Sequence, residues 1–139
     1  MVFDYYLIEK FHMISTSIMV GVILVIQLLH YPAFFFIEKN EFKYFHEFHV
    51  KNISIIVFPA MLIELLTGIL MLYFIKFSSL KFTVSIFLLL VCWAVTIFYF
   101  LKVHNFLSQG FNDNLIKQMI NFNWVRTFCW VSRLIVLAL

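Results

Sequence analysis

The chain has 139 residues, of which 64% are hydrophobic and 12% are charged, and its formal net charge is +3. Water-soluble domains average about 45–50% apolar and about 25% charged residues, and a chain this short cannot cover so much apolar surface. The composition therefore argues against a water-soluble domain, and the scattered basic residues argue against nucleic-acid binding. We predict an all-α integral membrane four-helix bundle, with helices that extend past the bilayer on one side.

A spanning helix needs about 20 mostly apolar residues, and four windows meet this requirement. Pro32 is expected to end the first helix, and Asn40 to cap the second. Gly110 is expected to stop the third helix, and Asn112 or Asp113 to cap the fourth. The resulting helices, within one transmembrane domain over 1–139, cover about 11–31, 41–75, 80–109 and 113–138.

The basic residues indicate an orientation. Most of them belong to the end of the bundle that carries the loops 32–52 and 104–122, namely Lys39, Lys43, Lys51, Lys102, Lys117 and Arg126. The positive-inside rule therefore predicts that these loops are cytoplasmic and that both termini are outside. We expect a multi-pass protein of the bacterial inner membrane.

Four histidines are predicted at this same end, on three different helices. His30 closes the first helix, His46 and His49 share one face of the second, and His104 lies near the end of the third. Imidazole binds iron, copper and zinc, and helix bundles build metal sites from facing helices. The pattern predicts a metal site formed by these four residues, with a transition metal or haem as cofactor. The alternative is that histidines at helix ends simply meet water and head groups.

Ionisable residues are also predicted deep in the bundle, where each is costly and therefore a candidate for function. Glu64 and Arg133 are expected to face inward at matching depths and to form an ion pair, either as structural glue or with Glu64 as a catalytic carboxylate. Arg126, two turns before Arg133, is expected to bind an anionic group and to join Glu64 in catalysis. His12 lies five turns from His30 on the same face, and we assign His12 and Arg133 to cofactor binding.

Several short motifs resemble those of small four-helix bacterial membrane proteins of unassigned function. The likeness covers nearly the whole chain and is consistent with the predicted fold. It is carried by His30-Tyr31-Pro32-Ala33-Phe34, Phe45-His46-Glu47-Phe48-His49, Pro59-Ala60-Met61-Leu62-Ile63-Glu64, His104-Asn105-Phe106-Leu107 and Asn123-Trp124-Val125-Arg126-Thr127.

More distantly, the chain is similar in size and polar content to anthrone-oxygenase-like membrane proteins. It also resembles the haem-binding four-helix protoporphyrinogen oxidase of bacteria in Lys10-Phe11-His12 and Leu29-His30-Tyr31-Pro32. These resemblances imply oxidation chemistry on a lipid-soluble molecule.

Two main hypotheses follow. The first is a membrane oxidoreductase that uses the histidine site and a lipid-soluble substrate. The second is a non-enzymatic accessory or assembly subunit of a larger membrane complex, or a homo-oligomer, whose polar residues hold the helices together. A small transporter is a third hypothesis, which the lack of paired Gly- and Pro-interrupted helices disfavours.

Overall fold

The computed structural model describes residues 2–75 and 79–139, and these ranges contain helices and turns but no strand. Helix α1 covers 2–36 and is an α-helix over Val2–Val25 that continues through a π-helical turn, Ile26–His30. It then ends in a short α-helical segment, Tyr31–Ala33, and a 3-10 turn, Phe34–Phe36.

The other three helices complete the bundle. Helix α2 is Phe42–Ile75, and helix α4 is Asp113–Ala138. Helix α3 covers 80–107 and again contains a π-helical turn, so that it consists of Leu80–Val95, Thr96–Phe100 and Leu101–Leu107.

The predicted ends of α2, α3 and α4 agree closely with the structure. Asn112 accepts a hydrogen bond from the backbone N–H of Leu115 at 2.9 Å, as expected of a cap. Gly110 has φ +148°, and its N–H donates to the carbonyl of Leu107 at 3.1 Å. This backbone conformation is open to glycine and strained for other residues, which explains the stop after α3.

The predicted end of α1 at Pro32 is wrong. The helix continues to Phe36, because Pro32 stands in the first turn of the segment that follows the π-helical turn. Proline is tolerated there, since the missing N–H and the fixed φ fit a first turn. At the other end, α1 begins nine residues before the predicted start, at Val2.

The helices pack in the order α2, α1, α4 and α3, with α1 between α2 and α4 and with α3 against α4. The side between α2 and α3 is the least closely packed. Two groups of buried apolar residues form the core. One surrounds Tyr31, Phe34 and Phe100 near the loop end, and the other surrounds Met61 and Trp130 deeper in the bundle.

The bundle is apolar outside and polar inside. Large apolar side chains are exposed on all four helices, including Leu29 at 68%, Tyr73 at 77% and Phe98 at 71% of their surface. The buried polar and charged residues are His12, Ser15, Thr16, Gln27, His46, His49, Glu64, Ser85, Asn123, Arg126, Thr127 and Arg133. This arrangement inverts that of a water-soluble bundle, where exposed apolar area is limited.

Three of the helices are long and apolar enough to cross a membrane, over Tyr5–Phe36, Phe42–Phe74 and Leu80–Leu107. Helix α4 is not among them, although its length is sufficient, because one of its faces carries Asn123, Arg126 and Arg133. All three of these side chains are buried in the bundle, and the exposed residues of α4 are polar in its first turns and mostly apolar from Phe122 onward.

Candidate functional site

The histidines at the loop end are positioned by the first turns of α2 and by the two π-helical turns. His30 is the last residue of the turn in α1, and His104 follows the turn in α3. His46 and His49 lie three residues apart near the start of α2 and therefore share a face. A π-helical turn shifts the register of the residues after it, and such turns are frequent at functional sites. One such turn in α1 and one in α3 adjoin this cluster, which favours a functional role for it.

These four side chains form one cluster, which we call the histidine cluster: His30, His46, His49 and His104. The ring centroids of His30 and His49 are 4.3 Å apart, and those of His46 and His104 are 5.2 Å apart. His49 links the two pairs, at 5.9 Å from His104 and 6.4 Å from His46. The three helices thus bring together the four histidines that the sequence placed at one end.

A hydrogen-bonded chain runs through the cluster from Tyr31. The Tyr31 hydroxyl is 3.3 Å from Nε2 of His104, and Nδ1 of His104 is 3.0 Å from Nε2 of His46. A neutral imidazole carries one N–H, so His104 donates through one nitrogen and accepts through the other. The chain therefore has two proton arrangements, one with His46 donating to His104 and one with His104 donating to His46.

Three other ring nitrogens of the cluster are buried without a hydrogen-bond partner, namely Nε2 of His30, Nδ1 of His46 and Nε2 of His49. Aromatic rings surround them. Phe34 contacts three of the histidines edge to face, with the centroid of His49 at 5.4 Å. Buried polar atoms without partners are rare and costly, so three of them in one cluster require an explanation.

Two cavities adjoin the His46–His104 pair. One, of about 240 Å³, lies at the loop end and is bordered by both histidines together with Glu47 and Lys51. The other, of about 160 Å³, lies between α2 and α3, and its wall includes His104 and Arg126. The first offers a route from water to the cluster, and the second is largely apolar.

Arg126 is buried beside the second cavity. Its guanidinium carbon lies 4.4 Å from the centroid of the Phe100 ring and 5.3 Å from that of Trp130. The position is close enough for cation–π interactions with both rings. Its Nε has no hydrogen-bond partner.

At the other end of the bundle, the predicted Glu64–Arg133 ion pair is confirmed. Both side chains are fully buried, and Nη1 of Arg133 donates to Oε1 of Glu64. Trp130 donates from Nε1 to the second carboxylate oxygen at 3.1 Å, and Nε of Arg133 donates to the carbonyl of Ser85 at 3.1 Å. Each oxygen of Glu64 therefore has a donor.

His12 belongs to this ion-pair network and not to the histidine cluster. The Thr67 hydroxyl donates to the carbonyl of Ile63 at 2.6 Å, so it accepts from Nδ1–H of His12 at 2.8 Å. Nε2 of His12 is then an acceptor for Nη2–H of Arg133, 3.3 Å away. The hydrogen bonds thus define a neutral His12 with its proton on Nδ1.

A third polar layer lies between the two ends. Nδ2 of Asn123 donates to Oε1 of Gln27 at 2.9 Å, and Nε2 of Gln27 donates to the carbonyl of Ile120 at 3.2 Å. The hydroxyl of Thr127 donates to the carbonyl of Asn123 at 3.1 Å. This layer ties α1 to α4 near the π-helical turn.

The predicted site residues therefore separate into two groups. The four metal-ligand candidates lie together, with Arg126 across the second cavity, whereas Glu64, Arg133 and His12 form the ion-pair network. The catalytic role of Glu64 and the cofactor role of His12 and Arg133 stay predictions. Tyr31 and Trp130 were not among the predicted site residues. Trp130 lies three residues before Arg133 on the same face, so helical spacing was the available signal for Trp130. Tyr31 directly follows His30 and shares no face with it, so helical spacing gave no signal for Tyr31.

In the described ranges, no three His, Cys, Asp or Glu side chains have their donor atoms already arranged around one metal position. In the histidine cluster the closest pair of nitrogens is held by the His46–His104 hydrogen bond. Binding of an ion would require that bond to open and the rings to turn.

The chain matches no known family or structure: comparison with models of protein families, with curated proteins and with solved structures finds no match. The resemblances drawn from the short motifs therefore stay predictions, and the evidence on function comes from the residues of this chain.

Proposed function

We propose that this chain is an integral membrane protein that binds a transition-metal ion through the histidine cluster. The observation that carries the proposal is the meeting of four imidazoles from three helices, of which His46 and His49 are buried. Among the described residues, three buried ring nitrogens of this cluster have no hydrogen-bond partner. In lipid, a buried polar atom has no water to satisfy it, so imidazole nitrogens without a hydrogen-bond partner favour a bound ligand.

The inverted surface supports the membrane part of the proposal. Large apolar side chains are exposed on all four helices, and Asn123, Arg126 and Arg133 of α4 are buried in the bundle. The exposed polar residues of α4 lie mostly in its first turns, at Asp113, Asn114, Lys117, Gln118 and Asn121. Helix α4 can therefore lie in lipid beside the three apolar helices, since its outer face carries residues such as Phe122, Val125 and Phe128. Ionisable residues in spanning helices commonly face the interior in this way.

The cluster brings imidazole nitrogens close together without aiming them at one point. Two imidazole nitrogens bound to tetrahedral zinc at about 2.0–2.1 Å lie about 3.3 Å apart. Nε2 of His46 and Nδ1 of His104 are 3.0 Å apart, which is a similar separation, and an ion would bind both once their hydrogen bond opens and the rings turn. His49 and His30 can then turn an unpartnered nitrogen toward the ion by rotating about their side-chain bonds.

An ion fits this environment better than haem does. The imidazoles contact one another and Phe34, Phe42 and Phe45, so aromatic rings occupy the space that a porphyrin would need beside its axial ligand. Neutral imidazole ligands suit copper, zinc and iron. Copper or iron would supply redox chemistry for a lipid-soluble substrate, whereas zinc has no redox chemistry and would imply another role.

The direct test is the metal content of the protein purified in detergent. We expect close to one equivalent of copper, zinc or iron in the wild-type protein and its loss from the His46→Ala/His49→Ala double variant. His12→Gln is the matched control, because it removes an equally buried imidazole outside the cluster and should leave the metal content unchanged. A wild-type protein that binds none of these ions on titration would refute the proposal.

A non-enzymatic accessory subunit is the second candidate. One observation favours it: both carboxylate oxygens of Glu64 accept hydrogen bonds in the ion-pair network, which connects all four helices, as structural residues would. This candidate predicts a metal-free protein that co-purifies with other membrane proteins. Variants of the histidine cluster would then change the yield of the complex. Their metal content would equal that of the wild-type protein, which would also be metal-free.

A further inference from the structure

Arg126 is a buried cation without an anionic partner. Its side chain is only 4% exposed, and Nε makes no hydrogen bond. In the described ranges the buried carboxylate of Glu64 is paired with Arg133, and Asp113 is paired with Lys117 at the surface. Arg126 contacts the rings of Phe100 and Trp130, and the neutral hydroxyl of Tyr31 is its polar side-chain neighbour among the described residues.

Those contacts offset only part of the cost of burying the charge. A cation in a low-dielectric interior is strongly unfavourable unless it is both paired and hydrogen-bonded. Aromatic faces attract the guanidinium but accept none of its N–H groups in the way an oxygen does. Nε therefore still lacks a hydrogen-bond acceptor, which an oxygen ligand would supply.

The cavity beside Arg126 reaches the surface of the bundle between α2 and α3. Its wall is mostly apolar, with Ile53 and Val57 from α2 and Phe100 from α3. Ser54 and Leu101 also border it and are exposed on the outside of the bundle. The cavity lies on the least closely packed side of the bundle, and it opens between α2 and α3.

We propose that Arg126 binds the carboxylate of a single-chain amphiphile of the fatty-acid class, which enters between α2 and α3. The fork made by Nε–H and one terminal N–H matches the two oxygens of a carboxylate. A cavity of about 150 Å³ holds a benzene-sized ligand, so the 160 Å³ here accepts a carboxylate and its first methylenes. The rest of the chain would lie along the apolar side chains of α2 and α3.

This site goes beyond metal binding and does not depend on it. His104 belongs to the histidine cluster and also borders the cavity, so a bound carboxylate would lie next to a metal in that cluster. The carboxylate site is nevertheless defined by Arg126 and the cavity alone. Its test therefore uses metal-free protein, and its failure would leave the metal proposal standing.

The test is binding of palmitate to the detergent-purified, chelator-treated protein, measured by native mass spectrometry and by thermal unfolding. We expect saturable binding of one palmitate, and Arg126→Met should weaken it about 10- to 100-fold, the loss of a charge-assisted pair of hydrogen bonds. Lys117→Met is the matched control, since it removes an exposed cation from the same helix and should leave palmitate binding unchanged.

Two further arms separate charge from shape. Methyl palmitate has the same chain without the charge and should bind at least 10-fold more weakly than palmitate. Val57→Phe should also weaken palmitate binding, because it fills the cavity and leaves Arg126 in place. This variant keeps the proposal testable if Arg126→Met does not fold.

Equal binding of palmitate to wild-type and Arg126→Met proteins would overturn the proposal. So would equal binding of palmitate and its methyl ester. Tight binding of phosphatidylglycerol from detergent micelles, without binding of palmitate, would overturn the assignment of a single-chain carboxylate and point to a lipid phosphate.

Discussion

The two ends of this bundle both bury polar side chains, but their hydrogen bonding differs. In the ion-pair network every oxygen of Glu64 has a donor, and Arg133 donates to Glu64, His12 and Ser85. In the histidine cluster, three ring nitrogens have no partner, and Arg126 beside it is unpaired. A satisfied network stabilises a fold, whereas an unsatisfied one is costly unless a ligand completes it. The comparison separates residues of structural use from residues available for binding.

The largest expected effect comes from breaking the ion pair. Arg133→Met should lower the free energy of unfolding by about 3–5 kcal/mol, because it leaves the Glu64 carboxylate buried without a counter-charge. Reversible unfolding in detergent or bicelles would measure this change. The double variant Glu64→Gln/Arg133→Met should recover much of the loss, and a single variant as stable as the wild type would remove the structural role of the network.

The next effect is stabilisation of the other end by a metal. At a free ion concentration of about 100 times Kd, binding to the folded state alone should add about 2.7 kcal/mol to the free energy of unfolding. The unfolding temperature in the presence and absence of zinc or copper would show it. We expect no shift for His46→Ala/His49→Ala and the full shift for His12→Gln. A shift of equal size in all three proteins would place the ion elsewhere.

A glycine in the ion-pair region gives a smaller effect. A Cβ at Gly68 would lie 2.8 Å from Cδ1 of Ile86 and 3.5 Å from Cε1 of His12, whereas one at Gly21 meets nothing within 4 Å. We expect Gly68→Val to cost about 1–3 kcal/mol through overpacking against these side chains. Gly21→Val is the matched control and should be close to neutral in the same unfolding measurement.

The smallest effect concerns the N-terminal cap of α4, the helix that contributes residues to both ends of the bundle. Asn112→Ala removes the acceptor for the Leu115 N–H and should cost about 1 kcal/mol. Asn112→Gly should lower the free energy of unfolding by only about a few tenths of a kcal/mol. Metal content and palmitate binding should stay at wild-type levels, because the cap lies outside both sites. Loss of either ligand in Asn112→Ala would mean that the binding region depends on the start of α4.

Much of the architecture was predictable from local chemistry. The start of α4 at Asn112 and the stop at Gly110 follow from a capping residue and a positive φ, which act over three or four positions. The continuation of α1 through Pro32 was not predictable. Whether a proline ends a helix or stands in a first turn depends on whether a π-helical turn precedes it. Packing against the neighbouring helices determines whether that turn forms.

The candidate site was predicted to a similar extent. The histidines could be placed at one end, and Glu64 beside Arg133, because helical rise converts position in the chain into depth. The partners of those residues could not be found in this way. The hydrogen bonds of Tyr31 with His104 and of Trp130 with Glu64 join residues 73 and 66 positions apart, so they depend on how the helices rotate about their own axes.

The sequence by itself therefore determined the helices, their apolar character and the depth of each polar side chain. Composition and spacing act along one helix, and four such helices need no long-range information to form in an apolar surrounding. The tertiary structure alone decided which polar groups are satisfied and which are left open. Satisfaction is a property of pairs on different helices, and among the described residues it leaves several buried atoms without a hydrogen-bond partner, including Nε of Arg126, Oγ of Ser85 and three nitrogens of the histidine cluster.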